Sequence, residues 1–214
     1  MKNGYPDYIV VEGPIGVGKT TLAKRLAATF NTDLMLEMPV ENPFLPRFYA
    51  NPRAFALPAQ LYFLFQRARQ IEALKQTDMF QPVQVADFLM EKDRLFANIT
   101  LDDEELALYQ QVYERLTLEA PVPDLVIYLQ APVDVLMQRV MERGHDYERL
   151  IEKDYLQRVA DGYVEFFYHY AKSPLLIVNT VDFDLANGED NYHLLLEHIQ
   201  HLKPGRHYFN PIER

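Results

Sequence analysis

Apolar residues fall along this chain in two alternating rhythms. Short unbroken runs rich in Val, Ile and Leu read as strands over residues 9–12, 34–37, 83–87, 125–129 and 175–179. Strands covered on both faces show such runs because none of their residues turns to water. Stretches with helical spacing separate them, over residues 21–29, 54–76, 104–118, 133–143, 153–170 and 192–201. Strand and helix in alternation predict an α/β fold, a five-stranded parallel sheet flanked by helices. No repeat, low-complexity segment or linker interrupts the pattern, so one domain is expected over residues 1–214. In such a sheet ligands bind beyond the carboxyl ends of the strands.

The first strand runs into Gly13-Pro14-Ile15-Gly16-Val17-Gly18-Lys19-Thr20, a full G-x-x-x-x-G-K-[ST], and the next helix follows from Thr21. Strand, glycine loop and helix together are the context a phosphate-binding loop requires. Glycines let backbone N–H groups form a nest around phosphate oxygens, and the helix start adds unpaired donors. Lys19 can reach the β- and γ-phosphates of ATP, and the Thr20 hydroxyl can bind Mg²⁺. The bland alternative is an ordinary glycine-rich turn.

The other strand ends carry further candidates. Glu37 reads either as a base for a hydroxyl attacking the γ-phosphate or as a solvated loop glutamate, with Glu41 competing for the first role. Gln60, Phe63 and Arg67, at i, i+3 and i+7, share one helix face. Such a face can read and stack on a planar base, or it is simply half-exposed with an amphipathic arginine. Asp87 closes the third strand, where a Mg²⁺-holding carboxylate often sits. Of the charges that follow, Lys92 reads as solvated, and Asp93 and Arg94 fit a site or a helix surface equally. Arg139, Arg143, His145 and Arg149 crowd eleven positions. Arg139 and Arg143 are one turn apart and Gly144 ends their helix, which suits a lid over phosphates at about residues 139–153. The alternative is a surface hairpin whose arginines pair with Glu142, Glu148 and Glu152. The backbone of residues 179–184 is placed to line an adenine pocket. His193, His198 and His201 read as exposed histidines on one helix rather than metal ligands.

Composition narrows the class. With 214 residues, about half of them apolar, the chain can bury a large core. It has no cysteine, which excludes disulfides and thiolate metal sites. A net charge of −10 argues against general nucleic-acid binding but not against nucleotides, which need only a local basic pocket. No apolar run approaches the ~20 residues that span a bilayer. MKNGYPDY lacks the apolar core of a secretion signal, so a cytoplasmic location is expected and Asn98-Ile99-Thr100 is a chance acceptor match.

In order and spacing, EGPIGVGKTT, LEMPVENP, FYANP, AQLYFLFQRAR, VADFLMEKDRLFA, LVIYLQAPVDVLMQRVMERG and YLQRVADGYVEFF resemble the deoxynucleoside kinases over nearly the whole chain. They are most like the branch that acts on deoxyguanosine and deoxyadenosine. The resemblance implies a P-loop kinase fold with an arginine-bearing lid, ATP with Mg²⁺, a homodimer and salvage of deoxynucleosides by phosphorylation of the 5′-hydroxyl. It makes Glu37 the base, pairs Tyr49 with Glu148 on the sugar 3′-hydroxyl, and puts Gln60 and Arg67 on the nucleobase. Arg139 and Arg143 become the phosphate clamp. The chain departs from the family pattern twice. Met38 stands between Glu37 and Pro39, and the usual acidic-Arg-Ser after the third strand is Asp87-Phe88 with no arginine, which leaves Asp87 to take the acidic, Mg²⁺-related role and Arg94 or Lys92 as candidates to supply the lost positive charge. Two alternatives share the loop. A thymidylate-type kinase would need extra basic residues for the acceptor phosphate, and a regulatory switch would have little use for the lid.

Overall fold

The computed structural model describes residues 5–76, 84–116 and 120–210. Its strands are β1 (Tyr8–Glu12), β2 (Leu34–Met35), β3 (Gln84–Ala86), β4 (Leu125–Gln130), β5 (Leu175–Asn179) and β6 (Arg206–Phe209). They form one parallel sheet in the order β2-β3-β1-β4-β5-β6. The sheet therefore has six strands rather than five. The sixth was missed because RHYF alternates exposed and half-buried positions at the sheet edge and shows no apolar run.

The helices are α1 (Lys19–Phe30), α2 (Leu45–Ala50), α3 (Pro52–Gln76), α4 (Lys92–Thr100), α5 (Asp103–Leu116), α6 (Val133–Arg143), α7 (Lys153–His169) and α8 (Glu189–Gln200). Alternate strand residues face opposite ways, so the sheet carries two cores. Ile9, Val11, Ile127, Leu129, Leu176 and Val178 pack with Leu22 and Leu26 of α1, Leu136 of α6 and Leu195 of α8. Val10, Val126, Tyr128 and Ile177 pack on the other side with Val159, Tyr163 and Phe167 of α7. Burial on both sides is why these strands read as continuous apolar runs. A third cluster joins Leu64 and Ile71 of α3 to Phe88, Met90, Ala97 and Tyr109.

Several boundaries differ from the sequence pattern. β2 stops at Met35, two residues early, because the Met35 carbonyl accepts from Asp87 N (3.0 Å) and the chain then turns so that Glu37 N donates to Asp87 Oδ1 (2.7 Å). Helix α1 begins at Lys19 and takes the loop's last two residues into its first turn. Helix α2 is too short for helical spacing to reveal. Val83, and the last residues of the helix expected to end at 118, lie outside the described residues. Successive strands lie on opposite sides of β1 (β2 and β3 on one, β4 to β6 on the other), so the loop after β1 opens at the switch point where a parallel sheet binds ligands.

Candidate active site

The glycine loop wraps the end of β1. At Gly13 (φ 149°) an added Cβ would lie 2.4 Å from the Leu129 carbonyl oxygen, and at Gly16 (φ 84°) 2.7 Å from that of Leu136. Both positions combine a backbone that side chains avoid with no room for one. Lys19 folds back over the loop, its ammonium donating to the carbonyls of Gly13 (2.7 Å) and Pro14 (3.1 Å). Burial, helped by the neighbouring Lys92, lowers its pKa to about 8 against the pull of Glu12, Glu37 and Asp87.

Thr20 and Asp87 meet across the loop. The Thr20 hydroxyl donates to Asp87 Oδ2 at 2.6 Å, while Asp87 Oδ1 takes the Glu37 amide. Asp87 is buried, which pushes its carboxyl up despite these bonds. Two hard oxygen donors, one from a buried carboxylate, suit Mg²⁺, which keeps waters and phosphate oxygens for its remaining positions. Among the described residues no group of three or more His, Asp or Glu could hold a metal unaided.

Beyond Asp87 lies a buried charge network. Arg67 of α3 donates through Nη2 to Glu37 and through Nη1 to Asp93 of α4. Lys92 Nζ lies 3.1 Å from Glu12 Oε1 and 3.2 Å from Glu37 Oε2. Burial disfavours a charged Glu37, but Arg67, Lys92 and Lys19 outweigh it and hold its pKa at about 2. For Asp93 burial wins over Arg67 and raises the carboxyl to about 6. Arg67 Nε, Asp93 Oδ2 and the Tyr109 hydroxyl are buried with no hydrogen-bond partner within normal geometry among the described residues; Asp93 and Tyr109 are near enough to interact, so Arg67 Nε is the donor left open. The face expected on α3 exists: Gln60 and Arg67 are buried, and the Arg67 guanidinium stands 5.2 Å from the Phe63 ring centre.

The competing and compensating charges are now sorted. Glu41 is exposed and takes Gln66 Nε2 (3.2 Å), away from the loop. Arg94 is exposed, 5.8 Å from the Tyr113 ring. Lys92, expected on a solvated face, is 2% exposed and deep in the site. The helical spacing was right; what hid Lys92 was that its partner Glu12 lies 80 residues earlier, inside an apolar strand. Glu12 itself was missed. Fully buried, it accepts from Gly13 N (2.8 Å), Leu89 N (2.9 Å) and Tyr163 Oη (2.8 Å) as well as facing Lys92. A lone carboxylate in an otherwise apolar strand was its signal, because such a charge must be paired. Phe88, at the place of the absent arginine, is fully buried in the third apolar cluster, so no cation can act from that position.

The region expected to form a lid consists of the end of α6, one 3₁₀ segment (Asp146–Leu150) and the start of α7. Arg139 reaches the loop and donates to Thr180 Oγ1 (2.9 Å), the Thr180 carbonyl (2.6 Å) and the Val17 carbonyl (3.4 Å). Arg143 instead forms a fork with Glu148, Nε to Oε2 at 2.9 Å and Nη2 to Oε1 at 2.5 Å. Tyr49 stacks on Tyr147, with ring centres 6.3 Å apart. Burial, then Tyr155 and Glu148, push its phenol pKa up. A cleft of about 1040 Å³ opens between Arg139, the segment from Val181 to Asp184 and α8, where the adenine pocket was expected.

A family model described as deoxynucleoside kinase matches residues 9–203. This chain belongs to the deoxynucleoside kinase family. The kinase is 34% identical to a deoxyguanosine kinase of Bacillus subtilis, covering 91% of this chain and 97% of that one. It is 27% identical to a deoxyadenosine kinase of Lactobacillus acidophilus, covering 89% and 94%. A solved deoxyadenosine kinase from M. mycoides with bound dATP superposes with a TM-score of 0.77 over 89% of this chain and 98% of the other, at 22% identity, which establishes the shared fold. The kinase uses ATP as phosphate donor, and its partners are small nucleosides and nucleotides. Among the described residues no helix is long and apolar enough to cross a membrane.

Proposed function

We propose that this kinase transfers the γ-phosphoryl group of ATP to the 5′-hydroxyl of a purine deoxynucleoside, deoxyguanosine or deoxyadenosine, in cytoplasmic salvage. One side chain carries the reading: Asp87 takes the Thr20 hydroxyl on one oxygen and the Glu37 amide on the other, which ties the phosphate loop to the acceptor carboxylate. In the mechanism Glu37, ionised at neutral pH, accepts the hydroxyl proton. The loop amides and Lys19 hold the transferring phosphates. Thr20 and Asp87 would hold Mg²⁺, which neutralises charge on the phosphate oxygens. Gln60, Phe63 and Arg67 take the nucleobase, and the open Arg67 Nε suits one of its acceptors. Tyr49 and Glu148 take the 3′-hydroxyl. Residues 139–153 close as a lid, with Arg139 and Arg143 moving onto phosphates, so Arg143 exchanges Glu148 for its anion. Since the transition state is loose and anionic, positioning and charge neutralisation supply most of the rate.

An uncharged acceptor is favoured because Arg67 and Lys92 face three carboxylates, Glu37, Asp93 and Glu12, whose excess negative charge would repel an acceptor phosphate. The test is a coupled assay with ATP–Mg²⁺ against the four deoxynucleosides and deoxythymidine monophosphate. Turnover with deoxyguanosine or deoxyadenosine is expected. Turnover with the monophosphate alone, or hydrolysis indifferent to all five, would overturn the reading. We also propose a homodimer through α3 and α5, whose Phe65 and Leu108 are 43% and 51% exposed. Sedimentation should give twice the chain mass, and a Phe65→Glu/Leu108→Glu variant the monomer.

A further inference from the structure

Lys92 is the most deeply placed cation on the acceptor side; it answers the buried charge of Glu12, and its contact with Glu37 goes beyond that pairing. Glu12 already has three donors on its two oxygens, from Gly13, Leu89 and Tyr163. Glu37 is already held by Arg67 and by its own amide on Asp87. Hydrogen bonding alone therefore does not require an ammonium between them. Burying one is costly, and here the two carboxylates outweigh that cost and keep Lys92 charged. An ammonium has three N–H groups, and two carboxylate contacts leave one to give. That donor sits beside the carboxylate that meets the attacking hydroxyl. It is also close enough to Lys19 for the two cations to repel. Glu37 feels both, Lys19 from the phosphate loop and Lys92 from α4. The position that usually brings an arginine here is filled by Phe88, locked in apolar packing.

We propose that Lys92 is the acceptor-side cation of phosphoryl transfer, anchored by Glu12, resting on Glu37 and donating its free N–H to the nucleoside 5′-oxygen as the phosphoryl group arrives. The inference rests on the deoxynucleoside reading above. In the step, the 5′-oxygen forms a bond to the γ-phosphorus and the bond to the β,γ-bridging oxygen breaks, leaving ADP. The hydroxyl proton passes to Glu37. Lys92 stays protonated throughout and stabilises charge that exists only near the transition state. Its loss should therefore fall on turnover rather than on nucleoside binding.

The experiment compares wild type, Lys92→Met and Lys92→Arg, with kcat and KM from the coupled assay, nucleoside Kd by calorimetry and Tm. Removing a donor of this kind costs about 10²–10³-fold in kcat. Lys92→Met is expected to lose that much while nucleoside Kd stays within about threefold. Lys92→Arg is expected to recover at least about tenfold over Met, because the charge and donors return. Lys92→Met with near-wild-type kcat, or Arg and Met equally slow, would overturn the inference. Should the Met variant not fold, a wild-type crystal structure with deoxynucleoside, ADP and aluminium fluoride decides. Lys92 Nζ within about 3.2 Å of the 5′-oxygen supports the role, and Nζ held on Glu12 and Glu37 alone excludes it. A wild type silent toward every deoxynucleoside would instead defeat the functional reading itself.

Discussion

At the scale of single residues, Glu37 and Asp93 share Arg67 yet are shifted in opposite directions, and both shifts are measurable. Glu37→Gln keeps the shape and loses the proton acceptor, so kcat should fall by about 10²–10⁴-fold with little change in nucleoside Kd. Equal loss of both would reduce Glu37 to a binding group. Asp93 gives a pH signature. Folded, it holds its proton up to about pH 6, whereas its ordinary value is 3.8. Across that window the native state binds more protons than the unfolded one, so Asp93 lowers stability as pH rises. Glu37 acts the other way and lower down, adding stability as pH rises from about 2 to 4.5 and losing it on acidification. Urea unfolding between pH 4.5 and 6 should therefore show an Asp93 contribution to the decline that Asp93→Asn removes, leaving the part owed to Asp87, whose carboxyl is also raised. An unchanged slope would refute the assignment. Sequence made the regularly placed groups legible at this scale, Lys19, Thr20, Asp87 and the Gln60–Arg67 face, because each follows a strand end or a helical period. Glu12 and Lys92 were not legible, since their meaning depends on a contact across 80 positions.

Among the elements, β1, β3, β4 and β5 announced themselves because burial on both faces leaves no polar alternation to confuse, while β2, half-buried and two residues long, showed through the apolar run from Leu34 to Leu36. β6 did not, and its role is the reverse of theirs: it covers the open edge of β5, pairing through Leu175–Val178. A chain ending at residue 202 would leave that edge bare. Such a variant should lose at least about 5 °C of Tm, at 2–4 °C per kcal/mol for a chain of this size, and should aggregate on concentration. Its remaining folded fraction should keep the wild-type kcat, because no group of the proposed site lies on β6. A matching loss of kcat would place β6 in the working site. The arginine-bearing helix α6 was legible from Arg139, Arg143 and Gly144. The pairing of Arg143 with Glu148 was legible as well, as the alternative in which these arginines meet nearby glutamates, and the 3₁₀ turn is what brings the two face to face.

For the molecule as a whole, the strand order puts the glycine loop at the centre, with the groups of α3 and α4 proposed to bind the acceptor on one side of it and the proposed lid and the cleft beside α8 on the other. The alternation of strands and helices already implied that arrangement, whereas the dense internal pairing of charge did not follow from an overall excess of acid. One carboxylate joins the two sides. Glu12 takes the first amide of the phosphate loop, the amide of Leu89 beyond β3, the Tyr163 hydroxyl of α7 and the Lys92 ammonium. A nucleoside seated against Glu37, on which Lys92 also rests, is therefore expected to be felt through Glu12 at the loop's first residue, and ATP in the loop to be felt at Glu37. Such a linkage is reciprocal: each ligand would alter the other's affinity by the same factor. Calorimetric titration of each ligand, alone and with the other present as a non-reacting analogue, should return one common factor, of about 5-fold or more. Glu12→Gln should bring that factor toward one. Cooperativity between substrates would then have a single address, inside the first strand of the fold.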